Sequence, residues 1–218
     1  MITVIIADDH HLVRQGIRAI LEKVNDIEVI GEAENGLDAV ALIEKQNPDV
    51  AVMDIAMPRL NGIQAIERIT TLKLGTKVVI LSMYSDALMV RQALKIGAKG
   101  YVLKRSVTEE LLMAIHAAVK GEIYLSPPVS KAFVSDALAL KMDEPTIFDL
   151  LTSRECEVLK LVAEGYTNSA IGQMLNISVK TVEKHRAAIM TKLNIHDTAG
   201  LVRIAIKYGL VDIEGSEV

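Results

Sequence analysis

The chain opens Met1-Ile-Thr-Val-Ile-Ile-Ala-Asp-Asp9, a short apolar run that ends abruptly in two carboxylates. Its large residues follow one another without regular alternation, which suits a strand buried on both faces and therefore a parallel sheet. Four more such runs begin at Ile27 (IEVIGEA), Val50 (VAVM), Val78 (VVIL) and Tyr101 (YVL). Apolar positions at helical spacing fill the intervals, at 12–21, 37–43, 63–69, 88–96 and 107–119. Five runs spaced by one strand–helix unit predict a fivefold βα repeat over residues 1–121. Right-handed crossovers place helices on both faces of a five-stranded parallel sheet. The last helix carries a capping-box sequence, Ser106-Val-Thr-Glu109, and stops at Gly121.

The strand ends carry the chemistry. The first ends in Asp8-Asp9, the third in Asp54, the fourth in Ser82 and the fifth in Lys104. In an open parallel sheet these ends meet along one edge, and ligands bind there where the strand order reverses. Three carboxylates, a hydroxyl and one ammonium would then share a cleft. The carboxylates alone would repel one another, and a hard divalent cation, Mg²⁺, relieves this with oxygen ligands. The cation and Lys104 together would attract a phosphoryl group, with Asp54 as carboxylate nucleophile. Any one of these residues could merely solvate a strand end; four ends with complementary chemistry argue against that. His10 and His11 follow the acidic pair and are expected to open the first helix rather than to bind metal, because hard cations favour oxygen.

Beyond Gly121 the pattern fails. Pro127, Pro128 and Pro145 fall in the next 25 residues, so 122–146 is expected to be a linker, with a helical piece over 129–142. From Leu151 onward only helical patterns remain, opened by a second capping box, Thr152-Ser-Arg-Glu155. Short helices cannot stand alone, so residues 147–212 are expected to pack as a separate all-α bundle, followed by an acidic tail at 213–218. In the helix after Ser178, Val179, Val182, Ile189 and Leu193 share one stripe; Lys180, Glu183, Lys184, Ala187 and Thr191 share the opposite one. That helix holds Lys180, Lys184, Arg186 and Lys192 against a single glutamate. Basic enrichment here is the footprint of phosphate contact, and the preceding helix and turn place it second in a helix-turn-helix.

The remaining composition narrows the class. The chain has 218 residues, with 24 basic and 28 acidic side chains and a net charge of −4, which excludes a basic nucleic-acid coat over the whole molecule. Its single cysteine, Cys156, cannot form an internal disulfide, and no run is apolar enough to span a bilayer. A soluble protein of the reducing cytoplasm is expected.

Ala7-Asp8-Asp9-His10, Met53-Asp54-Ile55-Ala56-Met57-Pro58 with Asn61-Gly62, Leu81-Ser82-Met83, and Gly97-Ala98-Lys99-Gly100-Tyr101-Val102-Leu103-Lys104 resemble the receiver domain of two-component response regulators over about 120 residues. The resemblance implies a flavodoxin-like (βα)5 fold in which Asp54 takes a phosphoryl group from the phosphohistidine of a sensor histidine kinase. It implies that Asp8, Asp9, Asp54 and the Ala56 carbonyl hold Mg²⁺ and that Lys104 pairs with the phosphoryl oxygens. It also implies that the Ser82 hydroxyl moves to bond one of those oxygens while Tyr101 turns inward. Met83 follows Ser82 where many receivers carry a smaller residue, and its bulk is expected to slow water attack on the acyl phosphate.

Leu151-Thr-Ser-Arg-Glu155, Ala163-Glu-Gly-Tyr-Thr-Asn168 and Ser178-Val-Lys-Thr-Val-Glu-Lys-His185 with Lys192-Leu193 resemble the four-helix DNA-binding domain of the LuxR/NarL/FixJ type. That likeness implies that Glu183, Lys184 and Ala187 face base edges, while Thr167, Lys180, Thr181 and Arg186 meet phosphates of double-stranded DNA. It also implies a homodimer when phosphorylated or DNA-bound. Ser169-Ala170 stands where relatives commonly carry Lys-Glu, which removes one cation from the interface. The competing enzyme reading, a phosphohydrolase, needs a second carboxylate two residues after the nucleophile, and Ala56 occupies that place. A third reading has the bundle contacting a protein instead of DNA.

Overall fold

Short runs without a polar face, such as residues 50–53, suit a strand covered on both sides, and the fold puts them in the middle of a sheet. The structure is a computed structural model that describes residues 1–138, 147–208 and 210–211. It divides into two units, Met1–Asp143 and Glu144–Val218.

In the first unit the strands are β1 (Ile2–Ala7), β2 (Ile27–Ala33), β3 (Val50–Asp54), β4 (Lys77–Ser82), β5 (Gly100–Leu103) and β6 (Tyr124–Leu125). They form one sheet in the order β2-β1-β3-β4-β5-β6, and every pair is parallel. Between them run α1 (His11–Leu21), α2 (Gly36–Gln46), α3 (Gly62–Thr71), α4 (Ala87–Lys95) and α5 (Val107–Val119). Alternate residues of the strands face opposite layers. Val4, Ile6, Val50, Val52, Val79, Leu81 and Val102 pack with Ile17 and Leu21 of α1 and with Leu111, Ala114, Ile115 and Ala118 of α5. The strand order reverses between β1 and β3, which brings Asp8, Asp54 and Lys104 to one edge.

Two sequence expectations are corrected. The sheet has six strands, because Tyr124 and Leu125 pair with Gly100 and Tyr101 inside the stretch expected to be linker. A helix, α6 (Pro127–Leu138), follows and packs on α4 and β5. Its prolines occupy the first helical positions, whose missing N–H groups would have no intrahelical acceptor anyway, so they start the helix instead of breaking one. The rest of the expected linker, 139–146, lies outside the described residues, as does the acidic tail. The capping box expected at Ser106 does not form, because Lys104–Ser106 make a turn of 3₁₀ helix and the Ser106 side chain caps nothing.

On the outside of α5, His116 Nε2 lies 2.8 Å from Asp26 Oδ2 and Nδ1 lies 2.7 Å from the Leu112 carbonyl. The hydrogen bond to Asp26 raises the imidazole above 6.5, while partial burial opposes this. The stabilisation is thus fully present below 6.5 and fades as pH rises through the raised value. Both groups are well exposed, so the contribution to stability is small. An NMR titration should find His116 above 6.5, and Asp26→Asn should bring it back toward that value.

The second unit contains α7 (Ile147–Leu150), α8 (Ser153–Ala163), α9 (Asn168–Leu175), α10 (Val179–Leu193) and α11 (Thr198–Lys207). Here the capping box is real: Thr152 accepts from the Glu155 N–H, and the Glu155 carboxylate accepts from the Thr152 N–H. Thr167, Ser178 and Asp197 cap the next three helices, and Asn176 and Asn194 close α9 and α10 in the left-handed region. Val158, Leu159, Ile171, Val182, Ile189, Leu201 and Ala205 are fully buried, so α8 to α11 bury one apolar centre. Val179, expected on the buried stripe, is 44% exposed; coverage of that stripe begins at Val182, one turn further on.

Candidate functional site

Asp54 is the last residue of β3 and only 2% exposed. Its Oδ1 lies 3.1 Å from Lys104 Nζ, which also lies 2.9 Å from Oδ2 of the fully buried Asp8. The other Asp54 oxygen, Oδ2, is buried and accepts no hydrogen bond among the described residues. Burial pushes the Asp54 carboxyl up to about 6, the Lys104 ammonium pulls against this, and the charges of Asp8 and Asp9 add to the rise. Burial disfavours the charge on Lys104, yet the two carboxylates outweigh it and hold the ammonium above its ordinary value.

One ammonium is too little charge for three carboxylates. Ligand atoms of Asp8, Asp9, Asp54 and His10 lie within 4.8 Å of one another. The oxygen-rich donor set and the unpartnered Asp54 oxygen fit a hard divalent cation. His10 does stand at the start of α1, as expected, but its ring turns to the acids, with Nδ1 2.9 Å from Asp9 Oδ1 and 3.2 Å from Asp8 Oδ1.

The loop after Asp54 folds back on the strand. The Gly62 N–H donates to the Ile55 carbonyl at 2.9 Å, and a Cβ on Gly62 would lie 2.3 Å from the Asp54 carbonyl oxygen, so only glycine fits. Asn61, buried beside it, forms a capping box with Gln64 at the start of α3. The Ala56 position is therefore set by a closed loop and not by strand pairing.

Ser82 ends β4, buried, and its Oγ accepts from the Tyr84 N–H at 3.1 Å. The Tyr84 carbonyl accepts from the Tyr101 hydroxyl at 3.0 Å. Tyr101 is already fully buried, so the inward position expected as the result of a movement is occupied in this structure. Burial holds its phenol well above the usual value. Tyr84, which links the two residues through its backbone, was not legible beforehand because main-chain contacts leave no residue-type signal. Met83 beside it is half exposed.

Arg14 is the other unforeseen residue. Only 4% exposed, it donates from Nη1 to the Asp8 carbonyl at 2.7 Å and from Nη2 to Glu34 Oε1 at 2.6 Å.

In the second unit, α9, a short turn and α10 make the helix-turn-helix. A Cβ on Gly172 would lie 2.8 Å from the Ile177 carbonyl oxygen, so α9 needs glycine where the turn crosses it. Lys180, Glu183, Lys184, Ala187 and Thr191 are exposed along one face of α10, as the spacing predicts. Thr167 is exposed and accepts from the Ala170 N–H, while the half-buried Thr181 shares a hydroxyl hydrogen bond with Ser178. Two of the four basic residues face elsewhere. Arg186 lies on the stripe of Val182 and Ile189 and donates to Asn168 Oδ1 at 3.0 Å and Thr198 Oγ1 at 3.1 Å. Lys192 pairs with Glu155 Oε2 of α8 at 2.6 Å. No helix among the described residues is long and apolar enough to cross a membrane.

Residues 4–116 match the response regulator receiver domain, and residues 149–205 match the family of bacterial regulatory proteins of the luxR type. The chain is 36% identical to the transcriptional regulatory protein DegU of Brevibacillus brevis, covering 97% of this chain and 96% of the relative. It is 38% identical to the oxygen regulatory protein NreC of Staphylococcus carnosus, covering 96% and 99%. Among solved structures it resembles RcsB of Salmonella enterica serovar Typhimurium bound to promoter DNA with the phosphomimetic BeF₃⁻, with TM-score 0.65, 30% identity and 93% and 97% of the two chains covered. A structure of two RcsB dimers bound to two parallel DNAs aligns with TM-score 0.58 and 28% identity over 95% and 98%.

Proposed function

The chain belongs to the response regulators that join a receiver domain to a LuxR-type DNA-binding domain, a family of transcription regulators and not of metabolic enzymes, and we propose that phosphorylation of Asp54 is its control. The observation that carries the proposal is the buried Asp54 carboxylate, with one oxygen on Lys104 and the other unpartnered. One oxygen of that carboxylate attacks the phosphorus of a partner kinase's phosphohistidine, which leaves the other for the cation. The new O–P bond forms as the P–N bond breaks, and its electron pair returns to the imidazole. Lys104 meets the charge on the phosphoryl oxygens, and the Ser82 hydroxyl donates to one of them.

Asp8, Asp9, Asp54 and the Ala56 carbonyl are the groups that would hold Mg²⁺, which when bound neutralises the phosphoryl oxygens. Moving the Ser82 hydroxyl to the phosphoryl group carries its Oγ away from the Tyr84 N–H it accepts from. The turn between β4 and α4 shifts in consequence, together with the Tyr101 hydroxyl that hangs from it. The output is DNA binding by α10 in a homodimer, with Glu183, Lys184 and Ala187 toward base edges and Thr167, Lys180 and Thr181 toward phosphates. Arg186 reaches phosphate only at the cost of its contacts to Asn168 and Thr198. The protein works in the cytoplasm, where kinase and DNA are both available.

Sedimentation and binding to pooled random DNA test this, comparing wild type with Asp54→Asn, each with and without beryllofluoride and Mg²⁺. Wild type alone should dimerise or gain affinity; equal binding by both under all conditions would leave the DNA-binding half standing and remove the switch. Lys180→Ala should weaken binding across sequences and lower the salt slope by about 1, as a phosphate contact does. A loss confined to particular sequences, with the slope kept, would put Lys180 on a base edge instead.

A further inference from the structure

We propose that Arg14 is a positioning residue for the cation site, holding the Asp8–Asp9 peptide so that Asp9 points at Asp54; the inference rests on the reading of the acidic cluster as a cation site. Asp8 and Asp9 lie between the end of β1 and the start of α1, where neither strand pairing nor helix bonding fixes them on both sides. The Asp8 N–H donates to the Ala33 carbonyl of β2 at 3.2 Å, which fixes one side. The Asp8 carbonyl is fixed by Arg14 Nη1 at 2.7 Å. Because the peptide is planar, holding that carbonyl sets the plane from which the Asp9 Cα departs and so the direction of its side chain. The Asp9 carboxylate meets the half-exposed ring of His10, with Nδ1 2.9 Å from Oδ1.

A buried cation next to a cation site would ordinarily oppose it. Here the guanidinium is matched by Glu34 Oε1 at 2.6 Å and Glu32 Oε2 at 3.5 Å. Those two carboxylates neutralise Arg14 locally, so it orients the acidic loop without repelling what the loop binds. They also anchor it to the end of β2 and the turn that follows, making the Asp8 carbonyl part of a tie from α1 across to that turn. Groups that orient ligands in this way typically account for roughly 10–100-fold in metal affinity.

The test is Mn²⁺ binding followed by electron paramagnetic resonance, with Mg²⁺ as competitor, on full-length chains whose thermal stability is measured in parallel. Asp9→Asn should lose binding. Arg14→Met should raise the dissociation constant roughly tenfold, and Arg14→Lys, whose ammonium still donates to the Asp8 carbonyl, should recover part of it. Glu34→Gln changes a side chain that is 73% exposed, keeps the fold, and should weaken binding by a few-fold through loss of the outer anchor. Stability lost with an unchanged dissociation constant in both Arg14→Met and Glu34→Gln overturns the proposal, and if Arg14→Met does not fold, Glu34→Gln decides. If Asp9→Asn binds Mn²⁺ as wild type does, the cluster is not the cation site, and that result overturns the parent reading along with this one.

Discussion

Asp54→Asn gives a chain that takes no label from a phosphodonor and is more stable than wild type in the absence of metal. The first half follows from removing the carboxylate proposed to attack phosphorus, and labelling should fall to background. The second half follows from the electrostatics. The folded carboxyl titrates at about 6 against an ordinary 3.8, chiefly because it is buried. A raised carboxyl in the folded state means that stability is highest below pH 3.8 and is lost as pH rises through 6. At pH 7.5 the loss is on the order of 3 kcal/mol, the free energy of a shift of about two pH units. Asparagine carries no such cost, so the variant should unfold several degrees higher at pH 7.5, with the gap closing toward pH 4. Added Mg²⁺ should narrow the gap from the wild-type side. Thermal unfolding by circular dichroism at the two pH values checks it; equal midpoints at pH 7.5 would mean the site is relaxed without metal.

Cutting the chain at residue 121, where the βα pattern runs out, should yield a receiver several kcal/mol less stable than one ending at 138. The Ser126 hydroxyl is completely buried, donates to the Glu110 carboxylate and accepts from the Leu103 N–H at 3.1 Å. Its own N–H donates to the Tyr101 carbonyl at 3.0 Å, and Tyr124 donates to Lys99 at the same distance. Removing them opens the edge of β5 and takes from the nearly buried Glu110 carboxylate a hydrogen bond of the kind that contributes roughly 1.5–3 kcal/mol when it meets a charge. Truncation also removes Val129, which is fully buried, and uncovers the surface of α4 and β5 on which its helix packs. Urea unfolding of the two fragments measures the difference; Ser126→Ala in the full chain should reproduce about 1–3 kcal/mol of it.

These two cases also mark how far the sequence could be read. Asp8, Asp9, Asp54, Ser82 and Lys104 were legible because a parallel sheet brings strand ends together whatever the loops do, and each is a chemically distinctive residue at such an end. Ser126 was hidden by Pro127 and Pro128, since prolines at a helix start look the same as prolines in a linker. Arg14 and Arg186 were hidden for another reason. Charged residues on a helix read as solvent-facing, and only the positions of their partners, Asp8 and Glu34 for one and Asn168 and Thr198 for the other, show them turned inward. Ser106 erred in the opposite direction: its capping sequence is intact, but the 3₁₀ turn from Lys104 supplies the local geometry instead.

The inward turn of Arg186 bears on how regulators of this type diversify. By tying α10 to the beginnings of α9 and α11, it separates the residue that poses the helix from the residues that read with it. Glu183, Lys184 and Ala187, the residues proposed above to face base edges, share no part in that brace, so the vocabulary of the helix can be rewritten while its grammar stays fixed. On that reading a gene duplicate could acquire a new operator by substitutions at those three places, with the fold and the pose of the helix inherited unchanged.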